Sequence, residues 1–216
     1  MSYEAITKEN NKILLSTAAS SSSAKLTDFI KVYDKAIPND LCDKLVNHLE
    51  QFGHKSYQDN DYLRRTESTF LPEHNPEIFS ELLNHLKSVY QRYKDDLGSV
   101  SINLWKVAKL EFPVLVSYHP NPEKKESFHD HADSWHFESC SRQVSIIYYL
   151  SDVEEGGSTT FTNLDISVKP VKGRALFFPS TFMFQHRAEP PVSGTKYACI
   201  CWLHFDGNTV YRSMQF

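Results

Sequence analysis

His131 and Asp133 stand two positions apart in SFHDHADSW, and a lone His186 follows in FMFQHRAEPP. Two neutral imidazoles and one carboxylate suit a borderline divalent cation that keeps exchangeable positions, and that set of three is the one favoured by non-haem Fe(II). Side chains alternate along a strand, so H-x-D in extended chain aims both groups at one face. The third ligand must then arrive from a distant strand, which is the place of His186. Lys196, ten residues further on, supplies a cation for an acidic ligand in the same region. H-x-D alone is a weak signal, because a surface His and Asp two apart are common. His129 and His136 flank the pair, and His129-x-His131 is an alternative ligand set. His136 belongs to the loop after the strand and could face a substrate.

The elements that must position these residues follow from periodicity and punctuation. After about residue 100, short runs of β-branched and aromatic residues alternate with turn signals: FPVLVSYH (112–119), QVSIIYYL (143–150), STTFTN, ISVKP, RALFFP (174–179) and KYACICWLHF (196–205). Gly156-Gly157 and Val171-Lys172-Gly173 punctuate them. The first half is different. FIKVYD (29–34) reads as a strand, and Pro38-Asn39-Asp40 opens a helix running to about Phe52. Leu41, Leu45, Leu49 and Phe52 form its apolar face. A second helix has Asn75 as N-cap, Pro76 at its first position and Gly98 at its stop. Ile78, Leu82, Leu86, Val89, Tyr93 and Leu97 trace its buried stripe. The polar segment between the helices is expected to hold a short strand at 65–70. The expected fold is α+β, mainly β: a jelly roll with N-terminal helices packed against one sheet.

The whole chain bounds the function. It has 216 residues, 40% hydrophobic and 23% charged, with a net charge of -4. That balance gives no reason to expect nucleic acid or membrane as a partner. No apolar run approaches bilayer length. The N-terminus lacks the basic start and apolar core of a secretory signal, so a cytoplasmic, reducing location is expected. Cys42, Cys140, Cys199 and Cys201 carry no zinc-type spacing. Cys199 and Cys201 should share one strand face as buried thiols. Residues 16–24, STAASSSSA, cannot bury enough apolar area to offset their ordering entropy. Residues 1–25 are therefore expected to be a flexible arm and 26–216 one domain.

From about 112 to 205 the chain resembles the 2-oxoglutarate/Fe(II)-dependent dioxygenases, in their prolyl 4-hydroxylase group. The resemblance begins at Tyr118 and runs through His131-Ala132-Asp133, Arg142 and YYLSDVEEGGSTTF. It continues in SVKPVKGRALFF, His186 to Lys196, and Trp202-Leu203-His204. Less closely, FIKVYDKAIPNDLCDKLVNHLEQF resembles the opening of the same group. The stretch HPNPEKKESFHD is longer than usual there, and Ala132 stands where an aromatic is common.

The resemblance implies a double-stranded β-helix with iron inside its open end, bound by His131, Asp133 and His186. It implies 2-oxoglutarate as co-substrate, oxidised by O2 to succinate and CO2 while the substrate gains an alcohol, with ascorbate as a reductant. Lys196 would meet the far carboxylate of the co-substrate, with Tyr118 and Thr159 as hydroxyl donors. Arg142, Trp202 and His136 are candidate substrate contacts, although Arg142 could equally be a surface charge and Trp202 a core residue. Phe177 and Phe178 are expected in the barrel wall, Gly156-Gly157 in a positive-φ turn, and Asp152 as the cap of that turn. Residues 57–65, with 118–128, are candidates for a lid. The expected activity is hydroxylation of prolyl residues in a peptide or protein. The alternatives are a related oxygenase acting on a small molecule or another side chain, and a non-catalytic metal-binding module.

Overall fold

The computed structural model describes residues 24–53, 65–67, 71–123, 125–205 and 213–215. All but the last two residues of the expected arm lie outside them. The described chain enters through a 3-10 turn, Leu26–Phe29, and a short strand, β1 (Lys31–Tyr33). Helix α1 covers Asn39–Phe52, α2 is a single turn at Leu71–His74, and α3 covers Pro76–Leu97. The expected faces are the buried ones. Leu41, Leu45 and Leu49 are fully buried, whereas Phe52 stays partly exposed against the rings of His48 and His74. The punctuation of α3 also works as read. The Asn75 side chain accepts from the Ile78 N–H, and Gly98 ends the helix at φ 58°. Phe79 and Tyr90 widen the stripe, while Ile78 and Leu97 are only partly buried.

The remaining strands are β2 (Arg65–Glu67), β3 (Val107–Glu111), β4 (Val114–Tyr118), β5 (Phe128–His131), β6 (Arg142–Tyr149), β7 (Thr159–Phe161), β8 (Ile166–Val168), β9 (Ala175–Pro179), β10 (His186–Ala188), β11 (Lys196–Phe205) and β12 (Ser213–Gln215). The larger sheet runs β1-β9-β6-β11-β3-β12, with β4 on the first half of β11 and β2 on β4. The smaller sheet runs β5-β10-β7-β8. Every pairing is antiparallel. Two facing antiparallel sheets with helices on the outside make the expected mainly-β jelly roll.

The larger sheet is buried on both faces, which is why its strands read as unbroken apolar runs. On β6, Val144, Ile146 and Tyr148 join the helix-side core, while Ile147 and Tyr149 point between the sheets. Cys199, Cys201 and Leu203 of β11 face the helices, and Ala198 and Ile200 face inward. The two cysteines share a face as expected, buried and unbridged with sulfurs 3.9 Å apart. Phe177 and Phe178 both stand in the wall, on β9, but on opposite faces. Phe178 lies between the sheets, whereas Phe177 turns to the helix side against Tyr33, Tyr93 and Tyr148, because adjacent strand residues alternate.

Two loop expectations divide. Gly156 and Gly157 do take positive φ, at 76° and 70°. Asp152 caps a different turn: its carboxylate accepts from the Lys172 N–H. β10 is the distant strand expected at His186, whereas β3, β12 and the 3-10 segment Gly98–Lys106 were not anticipated. Of the strand expected at 65–70, residues 65–67 are present and the rest lie outside the described residues.

Candidate metal centre and its pocket

His131 and His186 sit directly opposite each other on β5 and β10, with ring centroids 4.3 Å apart. Asp133 reaches them differently from the same-strand expectation. Strand β5 ends at His131, and Asp133 lies in the bend that follows. The larger sheet holds it there. Ser145 of β6 donates to its carboxylate at 2.5 Å, Ser145 is itself bonded to Ser180, and Arg142 donates to the Asp133 carbonyl at 3.2 Å. The carboxylate lies 3.4 Å from His131 Nε2 and 3.9 Å from His186 Nε2. One ligand atom from each of the three residues falls within 4.8 Å of the others. His129 is exposed and outside this cluster.

The hydrogen bonds settle which ring nitrogens face inward. His131 Nδ1 is 2.7 Å from the His129 carbonyl, and His186 Nδ1 is 3.1 Å from the Phe184 carbonyl. A carbonyl can only accept, so each Nδ1 donates outward and each Nε2 is the ring nitrogen turned toward the cluster. Burial lowers His186 to about 4, so its imidazole is neutral at pH 7. Burial alone would raise the Asp133 carboxyl. At the low pH where that carboxyl would titrate, the protonated imidazoles of His186 and His131 and the Ser145 hydrogen bond outweigh it and hold the group well below the usual carboxylate range. A carboxylate and two imidazoles with outward-bonded Nδ1 atoms form a donor set that fits a divalent cation.

The cluster opens into a pocket of about 480 Å³, counted out to its mouth, between the two sheets. Val116, Ile147, Ala198 and Ile200 give it apolar walls. Lys196 enters from β11, opposite Tyr118 of β4 in the register, and is only 2% exposed. Its Nζ lies 5.4 Å from the Tyr118 ring centre and 5.7 Å from that of Tyr149. Among the described residues no carboxylate makes an ion pair with it. Burial lowers its ammonium to about 7, with Glu189 pulling the other way. Thr159 also lines the pocket and accepts from the Tyr149 hydroxyl at 2.8 Å. The sequence reading missed Tyr149, although it lies two positions from Ile147 on the inward face of β6.

The three expected substrate contacts separate. Trp202 lines the pocket, and its indole N–H has no acceptor among the described residues. Arg142 lies over the Trp202 ring at 3.9 Å and is gripped by both carboxylate oxygens of Glu111. Glu111 also receives His204, whose other ring nitrogen meets Ser141. The Arg142 charge is thus already matched, by a Glu111 that sequence reasoning missed. His136 is not among the lining residues; it sits on the turn beyond Asp133, paired with Glu138 at 2.9 Å. The expected lid at 57–65 lies outside the described residues but for Arg65. The segment after Tyr118 folds back on itself, with the His119 N–H bonded to Glu126.

Comparison with known proteins bears on this geometry. Residues 115–204 match the family model of the 2OG-Fe(II) oxygenase superfamily. That span is similar to the 2OG-Fe(II) oxygenase superfamily domain. The matched span runs from Leu115 in β4 to His204 in β11 and contains the three-residue cluster and Lys196. Over 79 residues the chain is 37% identical to prolyl 4-hydroxylase subunit alpha-1 of Gallus gallus, covering 33% of this chain and 15% of that one. Over 96 residues it is 31% identical to the Caenorhabditis elegans subunit alpha-1, covering 38% of this chain and 17% of that one. The chain therefore spans less than a fifth of the curated relatives it matches. Solved structures share this fold. A viral collagen prolyl hydroxylase from Paramecium Bursaria Chlorella virus-1 superposes at a TM-score of 0.62 with 18% identity, covering 82% of this chain and 96% of that one. A Pseudomonas putida prolyl-4-hydroxylase gives 0.63 with 16% identity, over 83% and 94%. A Trichoplax adhaerens prolyl hydroxylase, solved with a hypoxia inducible factor peptide fragment, gives 0.65 with 16%, over 83% and 85%.

Proposed function

We propose that this chain is a 2-oxoglutarate- and Fe(II)-dependent dioxygenase that hydroxylates prolyl residues in a peptide or protein. One observation carries the reading: a two-histidine, one-carboxylate face and a buried lysine with no ion-pair partner among the described residues share one pocket. His131 Nε2, Asp133 and His186 Nε2 would hold Fe(II) and leave its remaining positions open. The bound ion supplies the redox chemistry of O2 that side chains lack.

The chain's own residues do the rest. Lys196 would take the far carboxylate of 2-oxoglutarate, which relieves the cost of an unpaired buried cation. Thr159 accepts from Tyr149, so its own hydroxyl proton is free for that carboxylate. Tyr118 offers a second hydroxyl from the strand beside Lys196. The apolar walls exclude water, which strengthens the ion pair. The co-substrate would leave as succinate and CO2, and the substrate would gain one oxygen. Ascorbate is the expected reductant.

Prolyl specificity is supported by the prolyl 4-hydroxylase relatives, and a peptide substrate by the relative solved with a peptide. Four free cysteines fit a reducing compartment such as the cytoplasm. Among the described residues no helix is long and apolar enough to cross a membrane. The division into an arm at 1–25 and a domain at 26–216 stays part of this proposal.

Anaerobic titration with Fe(II) and 2-oxoglutarate tests the site. A weak visible charge-transfer band should appear, and His131→Ala and Asp133→Ala should each abolish it. With air admitted, succinate should form and proline-containing peptides should gain one oxygen in mass. A band that survives in both variants would assign the ligands elsewhere.

A further inference from the structure

The turn between Asp133 and Arg142 has a property the metal centre does not require. It is internally tied: Ser139 is buried, its hydroxyl lies within bonding distance of the Trp135 and His136 N–H groups, and its own N–H bonds to the His136 carbonyl. Yet this fixed turn holds Trp135 74% exposed and Phe137 91% exposed. A second fixed turn does the same. In the 3-10 segment Phe182–Phe184, Phe184 is buried against Phe29, while Phe182 is 75% exposed and Met183 lies beside it, partly exposed. The Asn163 side chain pins this turn through the Met183 carbonyl. The Ser134 N–H bonds to the Ser180 carbonyl, so the two turns leave from one point.

Four large apolar side chains held in water on ordered backbone mark an interaction surface. Its position identifies the occupant. Trp135 and Phe137 lie two and four residues after Asp133, and Phe182 and Met183 four and three residues before His186. A partner resting on both turns therefore lies over the stretch of chain that carries two of the three cluster residues. We infer that this surface docks an extended segment of the substrate polypeptide, with apolar or proline residues flanking the reacting one. Such chain has few hydrogen-bonding side chains and matches aromatic platforms, as proline-rich segments do elsewhere. The Trp202 indole N–H, in the pocket and without an acceptor among the described residues, suits a backbone carbonyl of the same segment. A small molecule filling the pocket would have no use for the outer aromatics. The inference rests on the oxygenase reading for its substrate, but binding tests it separately.

The probes are two fluorescent ten-residue peptides with one central proline, one flanked by leucine and proline, the other by serine and lysine. Anisotropy is measured on the full chain, wild type, Trp135→Ala/Phe137→Ala and Phe182→Ala, with light scattering and the Fe(II)/2-oxoglutarate band alongside. The apolar-flanked peptide should bind better, and the double variant should weaken it by about tenfold, with Phe182→Ala acting in the same direction and the band unchanged. Equal binding by the variants, or no preference between the peptides, overturns the inference. So does a wild-type dimer that the double variant breaks while peptide binding holds, which would make a second copy the occupant. A missing band with peptide binding that still responds to the variants refutes the oxygenase reading and leaves the docking surface standing.

Discussion

At the residue scale, Lys196 makes the sharpest predictions. Lys196→Ala should raise the concentration of 2-oxoglutarate needed for half-maximal succinate formation by at least tenfold, or about 1.4 kcal/mol, since a charge-assisted bond is lost. Its protonation gives the sign of a pH effect. With the free-site ammonium lowered to about 7, it is mostly neutral at pH 8. A bound carboxylate favours the charged form, so binding must take up a proton between about pH 7 and the ordinary lysine range. Affinity should fall as pH rises above 7 and flatten below it. Calorimetry at pH 8 in two buffers of different ionisation enthalpy should report uptake close to one proton in wild type and less in Lys196→Ala. Ser145 makes a quieter prediction. Ser145→Ala removes a hydrogen bond to Asp133 without touching the cluster, and should weaken Fe(II) binding by about tenfold or more with circular dichroism unchanged.

The same scale shows where the sequence sufficed. His131, Asp133, His186 and Lys196 were all legible, and they lie around one pocket. Partners that only tertiary structure brings close were not. Ser145, Glu111 and Tyr149 look in the sequence like ordinary strand residues. Their roles come from which face of a strand they occupy and what lies across the barrel from it.

At the element scale, punctuation was the reliable signal. Asn75, Pro76 and Gly98 bound α3 because each meets a backbone need that few residues meet. Asn75→Ala should cost about 1 kcal/mol, read from the urea midpoint. Gly156 is less forgiving. At φ 76°, an added Cβ would lie 2.5 Å from the Pro190 carbonyl oxygen, so Gly156→Ala meets both backbone strain and a clash. About 1–3 kcal/mol should be lost by the same measurement. Short strands showed only where β-branched or aromatic residues and turn signals marked them, as in β7 and β8. His-Arg-Ala of β10 becomes a strand only through its neighbours β5 and β7. Asp133 was expected on a strand for the opposite reason: H-x-D displays the period, but pairing ends at His131.

At the scale of the molecule, helices and pocket occupy opposite faces of the same sheet. β11 carries Cys199 and Cys201 toward one and Lys196 and Trp202 toward the other. Ligands should therefore stabilise the fold. Fe(II) with 2-oxoglutarate, each anaerobic and at a hundred times its dissociation constant, should add about 2.7 kcal/mol per independent ligand. That corresponds to a rise of about 5–10 °C in thermal midpoint per ligand. Asp133→Ala should show little of it.

The cross-strand pairing of His131 and His186 has a mechanical consequence. The smaller sheet is made of strands of three or four residues, with a register shift beside His186. An ion held by both histidines would rivet β5 to β10, and through Asp133 would rivet that sheet to the larger one. Chelation should then speed amide exchange first at Phe128–His131 and His186–Ala188, while the centres of β6 and β11 keep their protection.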